Sequence, residues 1–275
     1  MFFYLFLNLF IFYSHVNYGI YDFIIIEGGS AGSILTSRLS EVPEWSVLLL
    51  EAGDDKNAFS DIPGFSNSLG KTNMNWGYFT TPQATCCQGM DNHQCVQPRG
   101  KVLGGSSEIN GLMYVRGSPS DYESWEKDFD VHGWSYKDVL PYFLKSEVVD
   151  FKNFDKGYHG SDGLIHVNYT APPSSTAEYL VEAVHERGLK EIDYNGKSQL
   201  GVSRIQFNIN FNKRSNGARA YLDPIRKGRS NLNITLNAFV TKILLRKSVA
   251  YGVEFVKGGQ RYFKDGSRSF CRGIQ

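Results

Sequence analysis

Tyr21-Asp22-Phe23-Ile24-Ile25-Ile26-Glu27-Gly28-Gly29-Ser30-Ala31-Gly32, followed by Ser33 to Ser40 and then by Val47-Leu48-Leu49-Leu50-Glu51-Ala52-Gly53, is the stretch on which the fold turns. Tyr21 to Ile26 is short, apolar and β-branched, the composition of a buried strand. Ser33 to Ser40 sets Ile34, Leu35 and Leu39 on one face, as a helix does, and Val47 to Leu50 is a second buried strand. Strand, glycine turn, helix and strand form a βαβ unit, with parallel strands and a right-handed crossover. Gly29 and Gly32 fill the second and third positions of a dinucleotide-binding turn. Glycine there lets the backbone approach a pyrophosphate, and the helix N-terminus aims its amides at that charge. Glu51 ends the second strand, where an acidic residue takes ribose hydroxyls. The first glycine position holds Glu27. A side chain restricts a tight turn and brings negative charge toward two phosphates. If it points to solvent the site survives weakened; if it points inward, affinity falls steeply.

Further along, Gly100-Lys101-Val102-Leu103-Gly104-Gly105-Ser106-Ser107-Glu108-Ile109-Asn110 groups glycines and hydroxyls where a helix begins, the chemistry of an anion cradle. Two glycines and two serines alone read better as a simple turn. Between the two motifs, Asp54 to Gln97 is loop-rich. Helices are expected over Asp121 to Lys127, from Ser135 to about Ser146 with a capping-box-like start at Ser135 and Asp138, and from a capping box at Ser175 and Glu178 to a stop at Gly188. Strands are expected at Leu164 to Val167, Leu232 to Leu236, Val240 to Leu245 and Gly252 to Val256. Gly258 to Gln275 is polar and basic and shows neither a strand nor a helix pattern.

The chain of 275 residues is long enough for one large domain or two small ones, and its net charge of +1 gives no electrostatic footprint for nucleic acid. Met1 to Tyr13 is apolar except for Asn8 and is followed by a polar stretch to Gly19, the layout of a cleavable secretory signal, although no Lys or Arg precedes the apolar run. The run is short for a membrane anchor, so no stable anchor is expected. A buried strand or a gene-model artefact is the plainer alternative. Asn168-Tyr169-Thr170 and Asn233-Ile234-Thr235 are glycosylation sequons. In an oxidising compartment Cys95 can bridge to Cys86 or to Cys87, with Cys271 far away in sequence. No metal site is expected, since no His or Cys pair has ligand spacing. His132, His159, His166 and His185 are each isolated: His185 reads as solvated, His166 as structural and His159 as loop-fixing.

The order of the motifs adds to these readings. A glycine turn after the first strand, then Leu48-Leu49-Leu50-Glu51-Ala52-Gly53, then Pro98-Arg99-Gly100-Lys101-Val102-Leu103-Gly104-Gly105-Ser106-Ser107, resembles the glucose–methanol–choline (GMC) oxidoreductases. Gly100 to Gly117, with Asn110, Tyr114 and Gly117 in place, is similar to that family's first signature. The likeness continues through His159-Gly160 and Arg219-Ala220-Tyr221-Leu222 to Glu254-Phe255-Val256, and secreted insect members are the nearest in character.

The resemblance implies an α/β fold, a discontinuous Rossmann-like FAD/NAD(P)-binding domain joined to a mixed α+β substrate domain and truncated at the C-terminus. FAD-binding segments would cover about residues 20–145 and 230–257, a substrate segment about 146–229, and 258–275 would be a divergent tail. By position, Gly28, Gly29, Ser30 and Gly32 would cradle the FAD pyrophosphate, and Glu51 would bind the adenosine ribose. Val102, Gly104, Ser106, Asn110, Gly111, Leu112 and Met113 would line the phosphates and the flavin, and Val240 would meet the adenine end through its backbone. The implied reaction is hydride transfer from an alcohol carbon to the flavin, with a sugar, sterol or other small alcohol as substrate and an electron acceptor that no motif specifies. The family's catalytic histidine and second signature lie beyond the matched stretch, so no catalytic residue is assigned. A truncated, non-catalytic secreted paralogue or an incomplete gene model is the alternative. A nicotinamide-dependent dehydrogenase is permitted by the βαβ turn alone and disfavoured by the Gly-Gly-Ser-Ser segment.

Overall fold

A computed structural model describes residues 17–170 and 174–272, with the backbone alone at residues 17–18 and 267–272. The expected secretory leader lies almost wholly outside the described residues. Among the described residues no helix is long and apolar enough to cross a membrane.

The architecture is α/β. Its centre is a mixed six-stranded sheet of β1 (Asn17–Ile26), β2 (Val47–Leu50), β3 (Leu232–Thr235), β4 (Phe239–Arg246), β5 (Val249–Lys257) and β6 (Gln260–Arg272), in the spatial order β4-β5-β6-β1-β2-β3. β6, β1, β2 and β3 run parallel, whereas β4, β5 and β6 form an antiparallel meander. Side chains along a strand alternate between faces, and both faces here are apolar. Ile24, Ile26, Leu48 and Leu50 pack with Ala238, Val253 and Phe255 on one side. Ile25, Val47 and Leu49 pack with Leu103, Ala218 and Leu222 on the other.

Helix α1 (Ser30–Leu39) follows β1 directly and buries Gly32, Ser33, Thr36 and Ser37 rather than its larger residues. Small side chains let it sit close to the sheet. Three longer helices lie outside this unit: α2 (Pro119–Phe129), α3 (Tyr136–Ser146) and α4 (Ser175–Glu186). The capping box falls at Ser118 and Asp121 of α2, a Ser-x-x-Asp spacing that the sequence reading passed over. At α4 the expected box at Ser175 and Glu178 does not form: the N-cap is Ser174, without a side-chain bond. Ser135 does bond Asp138, hydroxyl to carboxylate at 2.5 Å.

Two differences from the sequence reading matter for the site. Gly258 to Gln275, expected to lack regular structure, contains β6, which pairs with β5 through Gln260–Asp265 and with β1 through Phe263–Arg272. Its polar composition hides a strand whose ladder partners lie on both sides. Also, the helical turn Ala218–Leu222, within the segment expected for the substrate part, packs on α1 and into the apolar core beneath β1 and β2.

Candidate cofactor site

The glycine turn leaves β1 through Glu27, whose φ of 74° lies in the left-handed region. Its amide still belongs to the sheet, donating to the Leu50 carbonyl at 2.8 Å. The chain then folds back so tightly that a Cβ on Gly32 would lie 2.0 Å from the Glu27 carbonyl oxygen. Gly29 is the N-cap of α1 and no side chain caps it. The first amides of a helix have no partner within it, and Ser30 and Ala31 are exposed. An open, positively polarised helix end therefore faces outward from the tip of β1.

Glu51 is buried and braces this turn. One carboxylate oxygen accepts the Gly28 amide at 2.7 Å and the other the Gly53 amide at 2.8 Å. Burial pushes its carboxyl up to about 7; the Gly53 and Gly28 amides offset part of that, and the neighbouring charge of Glu27 adds to it.

The second glycine segment lies against the first. The Gly104 amide donates to the Gly28 carbonyl at 2.7 Å, and a Cβ on Gly53 would lie 2.0 Å from the Lys101 carbonyl. Gly104 has φ 103°, a value open to glycine. Val102 and Leu103 are buried, and the Ser106 hydroxyl accepts the Gly100 amide at 3.1 Å. Asn110 and Gly111 are exposed, Leu112 is buried at φ 63°, and Met113 is exposed. The β3–β4 turn reaches the same end of the sheet, its Asn237 and Ala238 amides donating to the Gly53 and Glu51 carbonyls. Val240 follows, half-buried and paired with Phe255. Between these elements lies a cleft of about 270 Å³, lined by Gly53, Asp54, Asn73, Lys101, Val102 and Asn237.

Sequence reasoning missed what holds the second segment. Buried Glu108 accepts hydrogen bonds from the Ser60 hydroxyl and the Asn216 amide, and burial raises its carboxyl above the usual range. Arg214, 1% exposed, donates to the carbonyls of Ser60, Ser107 and Asn110 and to the Asn110 side chain at 2.8–3.1 Å. The only signal was the run Arg214-Ser215-Asn216 just before the Arg219-Ala220-Tyr221-Leu222 match.

Among the described residues, the histidines make their contacts away from the glycine turn. His159 is clamped between Glu147 at 2.9 Å and Asp193 at 2.8 Å. Burial alone would lower its pKa, but the Asp193 and Glu147 hydrogen bonds and charges outweigh it and hold the ring at about 9. Arg116 pairs with the same Glu147 oxygen. His166 bonds Asp150 at 2.6 Å, and exposed His132 lies by Asp130 and Glu126. A disulfide joins Cys87 to Cys95, and among the described residues Cys86 is a free, exposed thiol.

A sequence model of the GMC oxidoreductases matches residues 21–269. The chain belongs to the GMC oxidoreductase family. GMC oxidoreductases are FAD-dependent dehydrogenases and oxidases. The match extends through most of β6, past the point where the resemblance is legible residue by residue. The chain is 44% identical over 229 residues to glucose dehydrogenase [FAD, quinone] of Drosophila melanogaster, covering 82% of this chain and 36% of that protein. It is 35% identical over 259 residues to ecdysone oxidase of Spodoptera littoralis, covering 91% and 42%. Pyridoxine 4-oxidase from Mesorbium loti is a structural neighbour with a TM-score of 0.83 and 30% identity, covering 91% of this chain and 48% of that one. The chain thus spans less than half the length of each of these GMC relatives.

For FAD, the backbone of this GMC chain fits: Gly32 and Gly53 leave no room for side chains, and Gly104 takes a backbone conformation open to glycine, where two segments converge on an open helix end. Glu27 is the departure, a carboxylate at the position where a dinucleotide turn carries glycine.

Proposed function

We propose that this chain is the FAD-binding part of an oxidoreductase acting on CH–OH groups. The observation that carries the reading is the joining of two glycine segments at the Gly104 amide and Gly28 carbonyl, over an uncapped helix N-terminus, in a chain of the GMC family. Bound there, FAD would accept a hydride from the carbon of a small alcohol, sugar or sterol. Gly29, Ser30 and Gly32 would present amides to the pyrophosphate. Gly28 would shape the turn, and Glu51 would meet the adenosine ribose once its oxygens share the Gly28 and Gly53 amides. Val102, Gly104 and Ser106 would line the phosphates, Asn110, Gly111, Leu112 and Met113 the flavin, and the Val240 backbone the adenine end. None of the described histidines stands at this turn, so the base that removes the hydroxyl proton is not assigned to any of them.

Secretion is part of the same proposal. It is supported by the apolar leader, the Cys87–Cys95 disulfide, and the sequons at exposed Asn233 and half-buried Asn168. Purification of the chain from a secretory host and its visible absorption spectrum test the cofactor. A flavin band that heat releases as FAD is expected; a folded, colourless protein that takes up no added FAD would overturn the reading.

A further inference from the structure

Helix α4 buries none of its residues, although Leu180, Val181 and Val184 form an apolar stripe along it. Ala177, Leu180 and Val181 line a groove of about 520 Å³ together with Val202, Ile205 and Phe207. Backbone ladders fix its far side. Asn168 and Phe207 exchange amide-to-carbonyl bonds at 2.8 and 2.9 Å, and Val202 bonds Lys190 and Ile192 at 2.9 Å each. A polar cavity of about 850 Å³ adjoins the groove, and Tyr169 and Arg204 line both. Its cations are Lys152, Lys190, Lys197 and Arg204, all exposed. The three lysines form no ion pair among the described residues, and Arg204 meets Glu178 at 3.5 Å. Of the carboxylates in the cavity, Asp193 is taken by His159 at 2.8 Å and Asp155 by the Lys197 amide at 2.8 Å, which leaves Glu191 against the cations. Small-molecule sites are mostly apolar clefts in which a few polar groups fix orientation. Here the apolar and the cationic parts meet at Arg204.

We propose that the groove and the cavity together bind a free fatty carboxylate, its apolar chain along α4 and its carboxylate at Arg204. The chain would cover apolar surface that α4 leaves in water. A guanidinium suits the head group because its fork donates two parallel bonds to a carboxylate. The neighbouring lysines add an attraction that salt screens. Glu178, which lines the groove, is the present ion partner of Arg204, so the incoming carboxylate competes with it. The site shares no residue with the cleft by the glycine turn, and the proposal does not rest on the FAD reading.

The test is a calorimetric titration of the full chain with decanoate. Decanol supplies the same chain without the charge, and butanoate the same charge without the chain. Decanoate is expected to bind, and the other two to bind about tenfold more weakly or not at all. Arg204→Gln should weaken decanoate by about tenfold and leave decanol unchanged. Leu180→Asp should also weaken decanoate, and Glu178→Gln should tighten it by freeing Arg204. Arg204 and Leu180 are exposed and Glu178 is half-buried, so all three variants should unfold thermally like the native protein. Equal affinity for decanoate and decanol, or an Arg204→Gln protein that binds decanoate as the native one does, would overturn the proposal. Butanoate binding as tightly as decanoate would reduce the cavity to a plain anion site and sink it as well. Binding to vesicles of anionic phospholipid without uptake of free decanoate would give this face to a membrane surface instead and equally rule out the carboxylate site.

Discussion

At residue 32 there is no room for a methyl group. A Cβ would sit 2.0 Å from the Glu27 carbonyl, a backbone atom of a residue whose amide is held by the Leu50 carbonyl. Gly32→Ala is therefore expected to push α1 away from β1, destabilising the chain by about 2–3 kcal/mol, in the range of overpacked cores, and abolishing flavin uptake. Urea unfolding together with FAD titration checks both; a variant that unfolds like the native protein would show that the turn relaxes. At this scale the sequence was informative about placement. Spacing singled out Gly29, Gly32 and Glu51, and the structure brings all three together at the β1–α1 turn. Glu27 was legible as a departure, but not its left-handed backbone or its action on Glu51, which depend on where the chain turns in space. The cysteine pairing was open between Cys86 and Cys87, since neighbours in sequence differ only in direction; the structure pairs Cys87 with Cys95. A maleimide should accordingly label Cys86 on the native, unreduced protein while peptide mapping finds Cys87 joined to Cys95. A labelled Cys87 would contradict the pairing.

Between elements, buried polar clusters do the fastening, and these were nearly invisible beforehand. No periodicity marks Arg214 or Glu108, because their partners lie far away in sequence, more than a hundred residues for Arg214 and 48 and 108 for Glu108. Arg214 gives its guanidinium to four acceptors on two other segments, so Arg214→Ala should cost about 3 kcal/mol or more by leaving them unpaired in the interior. Arg214→Lys should recover little, since an ammonium lacks the forked geometry. Thermal unfolding of both variants is the check, and a lysine variant close to native would show that charge alone suffices. His159 joins two other segments, through Glu147 and Asp193. Its folded pKa, about 9, lies above the ordinary 6.5, so its contribution is complete below 6.5 and disappears as pH rises through 9. Native protein should thus lose stability relative to His159→Gln between pH 6.5 and 9.5, measured by urea unfolding at each pH. Taking the difference between the two proteins removes the opposing trend of Lys264, whose amine burial pushes down to about 8. A constant difference across that range would mean that the imidazole is not held as a cation.

For the whole molecule, the deciding element is one that the sequence concealed. The βαβ unit and the β4–β5 hairpin were both expected from apolar patterning, yet neither indicates how they join. β6 does so, pairing antiparallel with β5 in its first half and parallel with β1 in its second. Its composition is polar because its order comes from ladder hydrogen bonds and from neighbours that already supply the apolar core. Lys264, for example, is 4% exposed and holds its ammonium over the Tyr21 ring. A strand with neighbours on both sides cannot accept proline without losing a ladder bond and clashing with one neighbour. Lys264→Pro is therefore expected to uncouple the meander from the βαβ unit. β1 would become an edge strand, and the protein would melt without cooperativity or aggregate. Lys264→Ala, which removes the same side chain but keeps the ladder amide, should leave β1 paired. Hydrogen exchange distinguishes the outcomes. Amides of Ile24 to Ile26 should exchange slowly in the native protein and in Lys264→Ala, and fast in Lys264→Pro. Slow exchange in all three would mean that β1 is held by β2 alone and that β6 is an accessory strand rather than the joint between the two halves of the sheet.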